Sequence, residues 1–186
     1  LFKINDKVVS ILGREFDFKE GNRVHLFGLG KSASYEVQVV KNLLKNSMPM
    51  KDLGAVVSYT KLNHSVDDED VFQIEGGHPL ISKHNLNQTK IFLEKISIVN
   101  PDDIVIFMLS GGGSALLEMP VAGVTHTDLV DIFSDLLKSG LNINEMNAIR
   151  KSLSQLKNGG LIKHINCQNI IQLISCDMPN LKLSDV

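Results

Sequence analysis

The chain has 186 residues, 43% hydrophobic and 22% charged, a composition typical of a folded globular domain rather than of a disordered segment. Its formal net charge is −2 and both signs are dispersed, so the chain offers no basic stripe for nucleic acid and no polybasic membrane patch. No stretch approaches the roughly 20 apolar residues of a membrane span. We therefore expect small ligands as partners, with no nucleic acid and no membrane.

The cysteines and the first residue give two further expectations. Cys167 and Cys176 lie in no C-x-x-C or Cys/His zinc pattern, which predicts structural thiols, no metal held by Cys, and a reducing compartment, cytoplasmic or mitochondrial. The chain begins with Leu1 rather than Met, so we expect a fragment of a longer protein.

Residues 1–33 are predicted to form a helix and then a strand that ends in a Gly-rich turn. The apolar residues at helical spacing in the first segment are Ile4, Val8, Ile11 and Leu12. Residues 23–27 form a β-rich run, and the turn 28–33 follows it. A second helix is then predicted from the apolar residues Tyr35, Val39, Val40, Leu43 and Leu44.

Lys31 ends the Gly-rich turn at the point where the next helix begins. A cation at a helix amino terminus is unfavourable by about 0.3 kcal/mol or more unless an anion occupies the same place. Lys31 therefore fits a bound phosphate or carboxylate better than plain capping. The alternative is a solvated surface lysine.

The segment 53–79 is predicted to contain two strands joined by an acidic loop. Residues 53–59 and 71–74 are the strands, and residues 67–70 between them are all acidic. The acidic spacing matches no calcium loop, so a solvated loop is expected. His78, in the turn that follows, either faces a ligand or caps the next element.

A helix over 82–98 is predicted to lead into the most apolar strand of the chain, 104–109. That strand is an unbroken apolar run introduced by the polar turn 101–103, which is typical of a parallel strand covered on both faces.

Three glycines, Gly111, Gly112 and Gly113, separate this strand from a first helical turn over 114–118. Glycines in this position let backbone N–H groups point outward from a helix amino terminus, where they form an anion site, most naturally for phosphate. The loop matches neither Walker A nor G-x-G-x-x-G. A tight turn that merely needs positive φ is the alternative.

Two helices and one strand are predicted after this loop. The helix 125–139 has Asp128 in its first turn, and its predicted buried residues are Leu129, Ile132, Phe133, Leu136 and Leu137. In the helix 144–155, one polar face, solvated or facing a ligand, contains Asn147, Arg150 and Ser154. Strand 170–174 leads to Asp177, where open α/β sheets place catalytic or metal-associated groups.

Strands and helices alternate along the chain, which predicts an α/β fold with a doubly wound, mostly parallel sheet and helices on both faces, a three-layer αβα architecture. The loops at the carboxyl ends of parallel strands share one edge of the sheet. We therefore expect Lys31, the loop 111–114 and Asp177 at that edge.

Several blocks together resemble the amino-terminal domain of the class II glycerate kinases, enzymes that phosphorylate D-glycerate at its 2-hydroxyl with ATP. The blocks are GLGKSA at 28–33, GHP at 77–79, SGGGSALL at 110–117, the N-x-x-R-K pattern with its following glycines at 147–160, and DMP at 177–179. The resemblance implies that residues 1–186 are a Rossmann-like first domain. It also implies that a smaller carboxy-terminal domain, absent from this chain, closes over the active-site cleft.

The resemblance also implies the site residues and cofactors. Lys31, Arg150 and Asp177 would act in catalysis. The same cleft, with its nucleotide, would be lined by Ser110, Gly111, Gly112, Gly113, Ser114, Glu118, Asn147 and Lys157. The implied cofactors are ATP and Mg²⁺, with Asp177 holding Mg²⁺, directly or through water, or orienting the hydroxyl. Lys31 would neutralise a carboxylate or the transferring phosphoryl group, and Arg150 would make a bidentate contact.

Two other functions stay open at this point. One is a non-catalytic domain that binds a metabolite or a partner, which is favoured by departures from the family pattern at Cys176, Met178 and 180–181. The other is a kinase of another small hydroxyacid. The sequence leaves the oligomeric state open.

Overall fold

The computed structural model describes residues 2–5, 8–11, 13–78 and 81–175. Its strands are β1 (Phe2–Asn5), β2 (Val8–Ile11), β3 (Arg14–Asp17), β4 (Val24–Leu29), β5 (Leu53–Lys61), β6 (Phe72–Gly76), β7 (Ile104–Leu109) and β8 (Asn169–Ile174). Its helices are α1 (Ala33–Lys45), α2 (Lys83–Ile96), α3 (Gly113–Leu116), α4 (His126–Lys138) and α5 (Ile143–Ser152), with short 3₁₀ helices at Met50–Asp52 and Gly160–His164.

The central sheet is parallel throughout and has the strand order β6-β5-β4-β7-β8. The chain moves outward from β4 to β6, and then α2 returns it to β7 on the other side of β4. The order of the strands thus reverses between β4 and β7, the place where open α/β sheets bind ligands. The predicted doubly wound, three-layer α/β fold is confirmed.

Two hydrophobic clusters lie on the two faces of this sheet, because side chains alternate along each strand. Phe27 and Phe107 pack with α2 on one face. Leu26 and Ile106 pack with α1 on the other. Both faces of β4 and β7 are therefore covered, which accounts for their nearly continuous apolar sequences.

The predicted helix over residues 1–12 is wrong, because this segment supplies two strands of a small antiparallel sheet, β1-β2-β3. Val9 and Ile11 are buried in the α1-side cluster, whereas Ser10 between them is half-buried. This period of two is that of a strand, and β-branched residues favour it. Leu12 lies outside the described residues.

Helix α1 is confirmed, but of the apolar residues that predicted it only Val40 and Leu44 are buried. Tyr35, Val39 and Leu43 are exposed, whereas Lys41 is almost fully buried. Lys41 forms an ion pair with Asp68, which corrects the expectation that the acidic loop is simply solvated. Although burial opposes it, the acidic partners raise the pKa of Lys41. The loop between β5 and β6 is thus fastened to α1.

The other predicted elements are confirmed, with differences in α5 and α4. Helix α5 ends at Ser152, so Ser154, which was predicted on its polar face, lies beyond the helix and is buried. Helix α4 begins within one residue of its predicted start. Thr125 and Asp128 form a capping box at its start. Leu129 and Leu136 are buried as predicted, but Leu137 is exposed. Helix α4 packs against α5. A single helix such as α5 covers a narrower stripe of the α4 surface than a sheet would, so Leu137 stays exposed.

A buried histidine and carboxylate join the amino ends of β4 and β7. Nε2 of His25 lies 3.0 Å from Oδ2 of Asp103, and the Ala55 amide donates to Nδ1 of His25 at 3.0 Å. The Arg23 and Asn100 amides also donate to Asp103, each at 2.9 Å. Burial lowers the pKa of His25, although Asp103 opposes the shift. A neutral ring that donates from Nε2 fits these contacts.

Replacing this carboxylate tests the network. Asp103→Ala leaves two partly buried amides and one buried imidazole without their acceptor, so we expect the free energy of unfolding to fall by about 3 kcal/mol. Asp102→Ala is the matched control, because Asp102 is exposed. Urea-induced unfolding followed by circular dichroism measures both variants. Equal stability of the two would contradict a structural role for Asp103.

Candidate functional site

The loops that follow β4 and β7 meet at the point where the strand order reverses. The Ser110 amide donates to the Leu29 carbonyl, and the Lys31 amide donates to the Gly111 carbonyl, both at 2.9 Å. Gly30 has a φ of +130°, and a Cβ on it would overlap the carbonyl oxygen of Ser110. Glycine is therefore required for the two loops to touch. The expected proximity of Lys31 and the Gly-rich loop is confirmed.

The backbone donors of the first loop are used within the protein. The amide of Gly30 donates to Tyr59, and that of Ser32 to Oγ of Ser110, at 3.0 and 3.2 Å. The Ala33 amide donates to the Gly30 carbonyl at 3.2 Å. This turn has the G-x-G-x-x-A spacing of dinucleotide-binding loops, which the sequence-based prediction did not consider. Its occupied amides leave little for a pyrophosphate to bind.

In the second Gly-rich loop, residues 111–114, the backbone donors are not used in this way. Within the described chain, the amides of Gly111, Gly112, Gly113 and Ser114 make no hydrogen bond of standard geometry. Gly112 has a φ of +87°, which glycine adopts without strain. Helix α3 is only four residues long, so the macrodipole expected from the sequence contributes little. The donors themselves form an amide cradle, residues 111–114, for an anion.

Lys31 lies directly over this cradle. A Cβ placed on Gly112 would lie 3.1 Å from both Cγ and Cε of Lys31, so the lysine side chain passes close to the glycine. The Lys31 carbonyl accepts from Oγ1 of Thr60 at 3.1 Å and lies 3.1 Å from Nδ1 of His64. Its ammonium forms no ion pair with any carboxylate that the structure describes. A fixed backbone thus presents an unpaired cation beside free amides.

His78, whose role the sequence leaves open, is a third residue beside the cradle. Its Cδ2 would lie 3.2 Å from the same Cβ position on Gly112. Burial lowers the pKa of His78, and the positive charges of Lys31 and Lys61 lower it further. The ring is therefore neutral at pH 7. No sequence pattern could have indicated this contact, because His78 follows the edge strand β6.

Other predicted site residues form a second cluster. Glu118 is 1% exposed and forms an ion pair with Lys157. Burial lowers the pKa of Lys157, although Glu118 opposes the shift. The Arg150 guanidinium lies 4.8 Å from the ring centre of Phe133, and its buried Nε has no hydrogen-bond partner in the described chain. The cluster therefore holds a guanidinium with unused hydrogen-bonding capacity.

This second cluster lies at the base of the α4–α5 pair. The Gln155 amide donates to the Met119 carbonyl at 2.8 Å, and the Val121 amide donates to the Leu153 carbonyl at 3.0 Å. The chain segments that enter and leave the helix pair therefore run side by side, and the ion pair of Glu118 and Lys157 stands next to them.

The structure also describes three other predicted site residues. Asn147 is half-buried and shares a face of α5 with Arg150. Ser110 is buried and links the two loops, whereas Ser114 is exposed. Asp177 lies outside the described residues, so its place at this edge stays a prediction.

The cradle does not line either of two surface cavities in the part of the chain that the structure describes. Two surface cavities of about 340 and 410 Å³ are lined by other residues, one around β3 and one around β5 and β6. In the described ranges, no group of three or more His, Cys, Asp or Glu side chains is placed to hold a metal ion. None of the helices described there has the length and apolar character needed to cross a bilayer.

Comparison with known proteins identifies relatives of this chain. The chain is 33% identical over 173 residues to a glycerate 2-kinase from Pyrococcus horikoshii and 36% identical over 158 residues to a D-glycerate 2-kinase from Thermotoga maritima. These matches cover 93% and 84% of this chain, but the chain spans only 37% of each relative. A protein from Agrobacterium vitis, 36% identical over 135 residues, carries the provisional name of a hydroxypyruvate reductase; the match covers 73% of this chain and 35% of that protein.

A solved structure agrees with this likeness. The crystal structure of glycerate kinase from Thermotoga maritima superposes with a TM-score of 0.77 at 32% identity, over 90% of this chain and 39% of that chain. Residues 3–186 match the family model described as "Domain of unknown function (DUF4147)". The chain therefore belongs to the DUF4147 family and is similar to glycerate kinases over little more than a third of their length.

Proposed function

We propose that this chain is the amino-terminal part of an enzyme that transfers the γ-phosphoryl group of ATP to the 2-hydroxyl of D-glycerate, giving 2-phosphoglycerate. The observation that carries the proposal is the ammonium of Lys31, which pairs with no carboxylate of the described chain and lies beside cradle amides that have no partner there either. The names of the relatives support the reaction and the substrate.

Phosphoryl transfer depends on positioning and on charge neutralisation more than on covalent chemistry. Free amides bind phosphate oxygens with fixed geometry, and an ammonium neutralises their charge without competing for the same positions. Lys31 and the amides of 111–114 provide these two components side by side. In the proposed enzyme they hold the transferring phosphoryl group or the carboxylate of glycerate.

The described residues fit the phosphates of ATP better than they fit a metal ion, because the cradle consists of donors and a cation. Bound Mg²⁺ would neutralise phosphate charge, and we assign its attachment to Asp177. The amides and Lys31 then orient the phosphates, while Arg150, with its unused hydrogen-bonding capacity, is proposed to reach a carboxylate or phosphate.

Phosphoryl transfer to a hydroxyl competes with hydrolysis, so the active enzyme must exclude water from the site. The relatives are much longer than this chain. We propose that residues outside this chain, in a second and smaller domain, cover the cradle and complete the site.

A reductase is the second candidate, favoured by the name of the Agrobacterium vitis relative and by the G-x-G-x-x-A spacing of the first loop. The protein at its full natural length should be incubated with ATP, Mg²⁺ and D-glycerate, and the product identified by phosphorus NMR. We expect 2-phosphoglycerate and no oxidation of NADH or NADPH with hydroxypyruvate. Reductase activity without phosphoryl transfer would overturn the proposal. Faster turnover of tartronate would correct the substrate.

Lys31→Ala should lower kcat/KM for D-glycerate by about 10²-fold or more, because the unpaired cation is lost from the cradle. Its melting temperature should stay within about 2 °C of the unaltered protein, since an exposed side chain supports no core. Lys51→Ala is the control, because Lys51 is exposed near the amino end of β5, at the opposite edge of the sheet. Comparable loss in both variants would exclude a specific role for Lys31.

Glu118 and Lys157 are predicted to line the cleft, yet the structure pairs them with each other. Lys157→Met leaves a buried carboxylate without its cation, so we expect the free energy of unfolding to fall by about 3 kcal/mol. The double variant Glu118→Leu with Lys157→Met should regain most of that loss. Lys163→Met, at an exposed site, is the control. If the double variant is stable and fully active, neither residue contacts the ligand.

A further inference from the structure

His78 occupies a place in the fold that its position in the chain does not suggest. It follows β6, the edge strand of the sheet, whereas Gly112 follows β7 on the far side of β4 and β5. The imidazole nevertheless lies beside Gly112, because a Cβ added to that glycine would lie 3.2 Å from Cδ2 of His78 and 3.1 Å from the nearest carbons of Lys31. The loop after β6 therefore passes across the carboxyl ends of the neighbouring strands and brings His78 to the amide cradle.

A buried polar network holds this loop against the cradle. Nδ2 of Asn85, whose side chain is fully buried, donates to the Gly77 carbonyl at 2.8 Å and lies 3.3 Å from the Leu116 carbonyl. The Tyr59 hydroxyl donates to the same Leu116 carbonyl at 2.8 Å. Satisfied buried networks of this kind fix geometry. Here the network fixes the residue before His78 relative to the end of α3.

The ring nitrogens of His78 have no hydrogen-bond partner in the described chain. The charged groups that act on the ring there are Lys31 and Lys61, both positive. A positive environment disfavours the imidazolium form, so a neutral ring with a free lone pair is available at pH 7. Lys31, the other side chain beside Gly112, is an ammonium and cannot accept a proton.

Resting on the proposed function, we propose that His78 is a catalytic residue, whose imidazole accepts the proton of the attacking hydroxyl. The substrate oxygen forms a bond to the γ-phosphorus while the bond from that phosphorus to the bridging oxygen of ATP breaks. ADP leaves with the electron pair of the broken bond, and the hydroxyl proton passes to the free nitrogen of His78. The cradle and Lys31 keep the phosphoryl group in place for this step.

Two variants of the full natural-length protein test the assignment. His78→Asn and His78→Gln keep a polar side chain but cannot accept the proton, so kcat should fall by about 10²-fold or more. The KM for ATP and the melting temperature should change little. His164→Asn is the matched control, because His164 is half-exposed and belongs to the segment before the amino end of β8, away from the cradle.

The pH dependence separates a proton acceptor from a structural residue. Because the base acts in its neutral form, kcat/KM should decline as the pH falls below the lowered pKa of His78, which lies under the ordinary value of 6.5. Lys61→Gln removes a positive charge that acts on the ring, so the midpoint of this decline should move to higher pH. Lys90→Gln, at an exposed site on α2, should leave it in place.

The outcomes distinguish this inference from the function on which it rests. If the unaltered protein phosphorylates D-glycerate but the His78 variants keep its kcat and its acid decline, the role of His78 is overturned and the kinase stands. If the unaltered protein shows no phosphoryl transfer, both proposals fail. Proton NMR signals of the His78 ring should also move when D-glycerate is added without ATP. Unmoved signals in an active enzyme would overturn the contact.

Discussion

The close approach of Gly30 to Ser110 is the constraint on which the rest of the site depends. Parallel pairing of β4 with β7 brings two loops to the same edge, but only a glycine lets their backbones touch there. At this contact the amides of Lys31 and Ser32 donate to the second loop, whereas the amides of residues 111–114 make no hydrogen bond within the described chain. Two similar Gly-rich turns therefore acquire different roles, one structural and one suited to anions.

The position of Lys31 follows from the same constraint. Its amide is held by the second loop and its carbonyl by Thr60, so the backbone is fixed although the side chain is exposed. Because the backbone is already ordered, only the side chain loses conformational freedom when an anion binds. Preorganised donors and charge of this kind are what phosphoryl transfer requires. The likeness to glycerate kinases agrees with this reading over the part of them that the chain spans.

The central sheet and the core of the site could be predicted from the sequence because their signals are local. The apolar run of β7, the following glycines and Lys31 each lie within a short stretch, and parallel strands bring their carboxyl ends together. The error in residues 1–12 arose because a few apolar residues fit both helical and alternating spacing, and β-branched Val9 and Ile11 decided for strands. The predicted starts of α2 and α4, Ser82 and Thr125, are the residues that cap these helices in the structure, whereas α2 ends at Ile96 rather than at residue 98.

Long-range partners could not be predicted. Lys41 is buried because Asp68 neutralises it from a distant loop, and Glu118 is buried beside Lys157 for the same reason. His78 reaches Gly112 only because its loop crosses the edge of the sheet. Such contacts depend on tertiary packing, and the local hydrophobic pattern of a single sequence does not reveal them.

The most direct measurement of the central claim is the response of individual backbone amides to ATP and Mg²⁺ in proton–nitrogen correlation spectra of the full natural-length protein. We predict the largest shifts at Gly111, Gly112 and Gly113, and small shifts at residues 30–33, whose amides are already hydrogen-bonded. ATP binding that moves the first loop and leaves the second unchanged would contradict the account.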